Sequence, residues 1–388
     1  MNKPRQREVD ITAKSIGISV LVLIALVTTV LGNLIEIEAS KYVLLMVAIG
    51  LSLVVYPQTK RETRKKFFLT LYFSVFLWIV FSLLVVYREP FFYKPFAITN
   101  LISIYLGVLI GFIFVYFRVN VSYIKTLYYI VTFFFIVSFV LFGMSFYVLT
   151  GKASGAPLGL ALMSLIIPII YLEYRDSHKI SFLPLVLQVM VLLFVSSRIS
   201  LGYSLLLLVS SLFVIVKSSA KNFLVRVVEY SLLGLMLFFV IYLVSSNSSL
   251  DVITKFQDMS TDTHGREDIW ELYFNNFTIR DFFYGKNVVV PFYDWDNFPN
   301  PHNSWIQLHS LLGFVGVLFM SFLIWMLFVF LRKNIYYSLV IVSLILLGFF
   351  NTIFFFYPTD WALYIFIFEY FRIKREKPYN FKVILKMI

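Results

Sequence analysis

The chain has 388 residues, 60% of them hydrophobic and 14% charged, with a formal net charge of +12 and no cysteine. Soluble domains carry about 25% charged residues, so a water-soluble enzyme, a nucleic-acid-binding domain and a disordered protein are excluded. With no cysteine there is no disulfide, no thiolate metal site and no thiol nucleophile. The mean hydropathy of +0.86 and the long uninterrupted apolar runs read as an all-α, polytopic membrane protein.

Split at its polar breaks, the sequence gives apolar spans at 11–31, 41–56, 67–87, 98–117, 126–149, 157–174, 180–196, 199–216, 222–244, 305–331, 335–356 and 361–371, about twelve crossings of a bilayer. The basic residues before the first run are read as the flank of a first span, because no small-residue cleavage site is evident and further apolar runs follow. Pro168 and Pro184 fall within spans and are expected to kink them. Cytoplasmic loops collect lysine and arginine, and alternate loops here are basic: Lys60 to Lys66, Arg118 and Lys125, Arg175 and Lys179, Lys217 to Arg226, Arg332 and Lys333, and Arg372 to Lys377. Topology thus accounts for the net charge without a nucleic-acid partner, and both termini are expected on the cytoplasmic side.

Three regions follow: residues 1–244 with about nine N-terminal spans, a polar stretch at 245–304 on the outer side, and 305–388 with the C-terminal spans and a basic tail. Loops this long within a compact fold are commonly functional, and Trp270, Tyr273, Phe277 and Trp295 argue against disorder here. Any chemistry is expected to face outward.

Three clusters have the residue types to carry it. Ser196-Ser197-Arg198 lies in a tight turn between two spans, where an arginine either snorkels to lipid phosphates or binds an anion. Its place on the side where positive charge is disfavoured favours the anion. His264-Gly265-Arg266-Glu267-Asp268-Ile269-Trp270 continues to Phe277, and helical spacing puts Arg266, Trp270, Tyr273 and Phe277 on one stripe. Alone, that stripe suits a helix lying at the membrane surface. Pro301-His302-Asn303-Ser304-Trp305 stands where the loop re-enters the membrane, followed by Gln307, His309, Gly313 and Gly316. His302 is either a base or hydrogen-bonding group for substrate or an ordinary polar residue in a first helical turn begun by Pro301. The four histidines form no metal signature.

In order and spacing, these clusters resemble the superfamily of O-antigen ligases and O-antigen or capsule polymerases of the bacterial envelope. The resemblance rests on Ser197-Arg198 between two spans, on Arg266 to Trp270 in a large outer loop, and on His302-Asn303 leading into Gly313 and Gly316. By motif it covers residues 155–332; beyond them it is one of topology. It implies a glycosyltransferase-C-like helical bundle with an amphipathic helix in its outer loop. The implied setting is the bacterial cytoplasmic (inner) membrane, with the active site on the extracytoplasmic face. The implied reaction is metal-independent glycosyl transfer from a polyprenyl diphosphate-linked oligosaccharide to a glycan acceptor, with no cofactor. Arg198 and Arg266 would hold the diphosphate through the planar guanidinium fork, and His302 would activate or orient the acceptor hydroxyl with support from Asn303. Trp270 and Trp295 would stack on sugars. A flippase and a chain-length regulator of the same pathway are the implied partners.

The ligase branch often carries a second histidine just before the His-Asn pair. Here that position is Asn300 or Pro301, which favours a polymerase over a ligase that moves the finished glycan to lipid A-core or another acceptor. A flippase of lipid-linked sugars is the reading from another class. It would show charged residues inside several spans or related halves, and the spans here are almost free of charge.

Overall fold

The computed structural model describes residues 13–35, 40–88, 98–142, 156–194, 198–218, 270–271, 273–286, 303–350 and 360–373, and among them all regular structure is helical. The helices in chain order are α1 (Ala13–Ile35), α2 (Ser40–Gln58), α3 (Arg61–Arg88), α4 (Ile98–Tyr116), α5 (Val121–Phe142), α6 (Ala156–Ser177), α7 (Phe182–Phe194), α8 (Arg198–Ser218), α9 (Ile279–Tyr284), α10 (Ser304–Leu312), α11 (Phe314–Lys333), α12 (Ile335–Phe350) and α13 (Trp361–Ile373). Among the described residues, two stretches, Arg61–Tyr87 in α3 and Phe314–Lys333 in α11, are long and apolar enough to cross a membrane. Apolar stretches of 10–17 residues run through α1, α2, α4, α5, α7, α8 and α12. The expected span 222–244 lies outside the described residues.

One end of the bundle is basic, and hydrogen bonds between helix ends define it. Lys66 at the start of α3 donates to the Tyr116 hydroxyl at 3.1 Å and to the Phe371 carbonyl at 3.0 Å, tying it to the ends of α4 and α13. Arg175 at the end of α6 donates to the carbonyls of Phe114 and Phe117. Each cation thus sits where a helix leaves unpaired carbonyls and the negative end of its dipole. Lys125 pairs with Glu173, and both bond Ser181, joining the starts of α5 and α7 to the end of α6. Tyr174 packs on Tyr336 with ring centres 4.6 Å apart, which brings the start of α12 to the same end. Asn334 alone links α11 to α12: its N–H caps Phe330 at 2.6 Å, and its Oδ1 accepts from the amides of Tyr336 and Tyr337.

These ties fix what lies at the opposite end. α11 needs about 20 residues, or ~30 Å, to reach the basic end, so Phe314 stands at the far end. α7 starts at the basic end and runs ~20 Å away from it, so α8 begins about two-thirds of the way along the bundle. Pro184 falls in the first turn of α7, where no intrahelical amide bond is lost and no kink is required, and its carbonyl accepts from Tyr128 at 2.8 Å.

Close packing inside the bundle rests on small residues. Gly107 and Gly111, four apart on α4, face α13, and a Cβ on Gly111 would stand 2.5 Å from the Tyr364 Cβ and 2.9 Å from its carbonyl carbon. Glycines at this spacing let the two helix backbones approach closely. One acidic side chain escaped the sequence reading of almost charge-free spans. Glu369 on α13 is fully buried, accepts two bonds from Arg372 at 2.6 and 2.7 Å, and takes a third from the Tyr171 hydroxyl at 2.9 Å. A carboxylate bonded on both oxygens in this way pins α6 to α13.

Candidate functional site

The apolar run 305–331 is read from sequence as a single span, and the structure breaks it in two. Gly313 adopts φ 54° and ψ −135°, a conformation for which only glycine is suited. A side chain there would strike the Phe283 carbonyl of α9. Beyond the break the chain doubles back, since a Cβ on Gly316 would lie 2.5 Å from the Leu308 carbonyl oxygen; in one straight helix those residues would be ~12 Å apart.

The direction of α10 follows from its contacts. The Trp305 indole N–H donates to the Ile345 carbonyl at 3.3 Å, only ~15 Å along α12 from the basic end, whereas Phe314 stands ~28 Å along α11 from the same end. From Gly313, α10 therefore descends into the bundle. Asn303 and Ser304 at its tip are 5% and 0% exposed.

Asn303 is the N-cap of α10, and its Oδ1 accepts from the amides of Trp305 and Ile306 at 2.9 and 3.2 Å. The helix is described from Ser304, and Pro301 and His302 lie outside the described residues. With Oδ1 taken by the cap, the Nδ2 amide is the part of Asn303 suited to meet a substrate. One turn along, Gln307 has a buried Oε1 with no hydrogen-bond partner among the described residues.

His309, seven residues past His302, is committed at both nitrogens. The Phe282 carbonyl can only accept, so Nε2 donates to it at 3.0 Å, and Nδ1 shares a hydrogen bond with the buried Tyr273 hydroxyl at 2.5 Å. The rings of Phe277 and Phe282 lie 5.6 and 6.0 Å from the imidazole. His309 therefore cross-links residues 273–282 to α10.

That segment comes down onto α10 in two pieces. Residues 270–274 are helical where described, and a turn at Asn275–Asn276, with Asn276 at φ 53°, ends the helix before Phe277. Phe277 is thus not on the helical stripe with Trp270 and Tyr273, although its ring still packs 6.1 Å from that of Tyr273. Tyr273 forms a buried apolar pair with Ile306, in the first turn of α10, and Trp270 packs against the pair. The second piece is α9. Thr278 caps it by accepting from the Asp281 amide, while the Asp281 carboxylate accepts from the Thr278 amide at 2.8 Å. That amide holds the Asp281 carboxyl below its ordinary pKa. The Thr278-x-x-Asp281 spacing is a capping-box signature legible in the sequence, and it went unread. Gly285 (φ 77°) then lets the chain touch the carbonyls of His309 and Ser310, and Ser310 donates to the Lys286 carbonyl at 2.8 Å.

The structure therefore joins two of the three sequence clusters. Trp270 and Tyr273 gather with Ile306 in the first turn of α10, which Asn303 caps inside the bundle. Arg198 is the first residue of α8, ~20 Å from the basic end. Arg266, Trp295 and His302 lie outside the described residues. Between α3, α11 and α13 lies a separate cavity of about 260 Å³, walled by side chains such as Leu69, Phe73, Phe319, Phe322 and Ile367, with Thr70 and Ser74 among them.

Comparison with models of protein families, with curated proteins and with solved structures returns no match to this chain.

Proposed function

We propose that this chain is a membrane glycosyltransferase that polymerises polyprenyl diphosphate-linked oligosaccharide repeat units into O-antigen or capsular polysaccharide. In this reading the chain crosses the bacterial cytoplasmic membrane about twelve times, with its basic end in the cytoplasm and α10 opening to the outer face. One observation supports the reading above all. Trp270 and Tyr273 pack with Ile306 in the first turn of the helix that Asn303 caps, and that helix doubles back into the bundle from the end opposite the basic one. Such a site is partly dry, which strengthens charge interactions with a diphosphate.

Arg198 and Arg266 would take the diphosphate oxygens and offset the charge that grows as the glycosyl–oxygen bond breaks. The acceptor hydroxyl oxygen attacks the anomeric carbon, its proton passes to His302, and the polyprenyl diphosphate leaves. Asn303 Nδ2 and Gln307 Oε1 would orient the acceptor, and Trp270 and Trp295 would stack on sugar faces. The largely apolar cavity beside α3 and α11, with Asp360 in its wall, has room for hydrocarbon and supports a substrate with a lipid tail.

The test is reconstitution. Purified chain in proteoliposomes, given lipid-linked repeat units and a metal chelator, is expected to produce a ladder of longer glycans on the carrier. Substitution of Arg198, Arg266 or His302 by alanine is expected to remove the ladder while insertion is preserved. A normal ladder from all three variants would end the catalytic assignment.

A further inference from the structure

α9 and its flanks carry groups that the glycosyl-transfer reading leaves unused. Phe282 turns inward, its ring 5.5 Å from that of Phe314. Ile279 and Phe283, one turn apart, are 79% and 52% exposed, and Tyr284 beside them is 48% exposed. Between these residues Arg280 lies over the Tyr87 ring at 5.7 Å and donates from Nη2 to its hydroxyl at 2.7 Å.

The depth of this patch is set by the helices beneath it. Tyr87 ends the apolar stretch of α3; Lys66, at the basic end, is about 21 residues or ~32 Å away along the helix. A hydrocarbon core is ~30 Å thick. Phe314, the first residue of α11, meets α9 from below as well. The two described helices long and apolar enough to cross a bilayer thus end at α9, which puts Arg280 at headgroup level.

We propose that α9 is an interfacial foot: Ile279, Phe283 and Tyr284 rest in the outer leaflet, and Arg280 binds the phosphate of an outer-leaflet phospholipid. The local charges suit this assignment. The Asp281 carboxylate is engaged by the Thr278 amide and hydroxyl, and the Lys286 ammonium by the Asn275 carbonyl. Arg280 spends one N–H on Tyr87, and the rest of its fork faces outward, where a phosphate fits it. A tyrosine beneath the guanidinium adds a cation–π contact and is itself at home at headgroup level. The proposal rests on the membrane-crossing reading of α3 and α11 and is independent of the chemistry assigned to Arg198, Arg266 and His302.

The absence of native cysteine makes the test direct. Spin labels are attached at Ile279→Cys, Phe283→Cys and, as a control on the lipid-facing side of α3, Leu83→Cys, in vesicles of phosphatidylglycerol. Labels at 279 and 283 are expected to meet oxygen more than a water-soluble nickel chelate, at a shallower depth than the label at 83. Arg280→Ala is expected to raise nickel access at both positions in these vesicles and to change nothing in a phosphate-free maltoside detergent. Full nickel access at 279 and 283 with lipid exposure at 83 overturns the foot, as does shielding of those labels only on addition of glycan. Full nickel access at 83 overturns the membrane-crossing reading itself. An Arg280→Ala variant identical to the parent in the vesicles overturns the phosphate contact.

Discussion

Gly313→Ala tests the fold-back that brings Asn303 into the bundle. Alanine at φ 54° and ψ −135° carries about 1–3 kcal/mol of backbone strain. Its Cβ also collides with the Phe283 carbonyl, a backbone atom of α9 that cannot rotate away, and overpacking of this kind costs about 1–3 kcal/mol. A loss of ~2–6 kcal/mol follows from the two together. Gly316→Ala separates the steric part, because its backbone is helical and its Cβ would sit 2.5 Å from the Leu308 carbonyl. There the ~1 kcal/mol gained in helix propensity offsets part of the strain. Gly202→Ala is the matched control: nothing lies within 4 Å of its Cβ, and the propensity gain of ~1 kcal/mol stands alone. The assay is the fraction of protein that stays monodisperse after heating in one mild detergent. The expected order of midpoints is Gly202→Ala at or above the parent, then Gly316→Ala, then Gly313→Ala lowest. If Gly313→Ala melts with Gly202→Ala, then α9 does not touch the break and the site described here is wrongly assembled.

Other consequences can be measured in the same way. Tyr273→Phe strands the buried Nδ1 of His309 and is expected to cost about 1–3 kcal/mol; His309→Phe made on top of it should add less than it does alone. Arg372→Ala leaves the Glu369 carboxylate buried without its cation and should destabilise strongly, by up to about 3–5 kcal/mol for a fully buried pair and less here because Arg372 is partly exposed. Glu369→Gln in the same chain should restore part of that loss. Thr278→Ala removes the cap of α9 and is expected to raise hydrogen exchange there, consistent with the ~1 kcal/mol of a helix cap. Because the Asp281 carboxyl is held below its ordinary value near 3.8, its share of the cap is complete above that pH and is lost as pH falls through the lower folded value. Loosening of α9 at neutral pH would contradict this. Lys65→Ala, at the basic end, should leave glycan assembly intact.

Much of the helical layout could be read directly from apolar runs and their basic breaks. The spans at 41–56, 98–117, 199–216 and 335–356 begin within a few residues of helices in the structure, because charged or turn-forming residues leave little choice of boundary. Asn334 illustrates this, as one residue that ends α11 and caps α12. The split at Gly313 could not be read this way. A glycine in an apolar run looks like a small residue in a helix interface, and only the approach of Phe283 from a distant segment shows that the backbone must turn there. Glu369 was hidden for a related reason: its partners Arg372 and Tyr171 make burial tolerable, and Tyr171 is nearly two hundred residues away. Of the site, sequence order pointed to Asn303 and Trp270, yet nothing in that order revealed that His309 would be fully engaged or that α10 would point inward.

The most direct test of the central claim is the inventory of polyprenyl-linked glycans in cells lacking this chain, compared with cells carrying the parent or the Arg198→Ala form. Single repeat units accumulating on the outer leaflet, with long chains restored only by the parent, is the expected result. Finished chains stranded on the carrier would instead mark a ligase, and single units held on the cytoplasmic leaflet would mark a flippase and contradict the account.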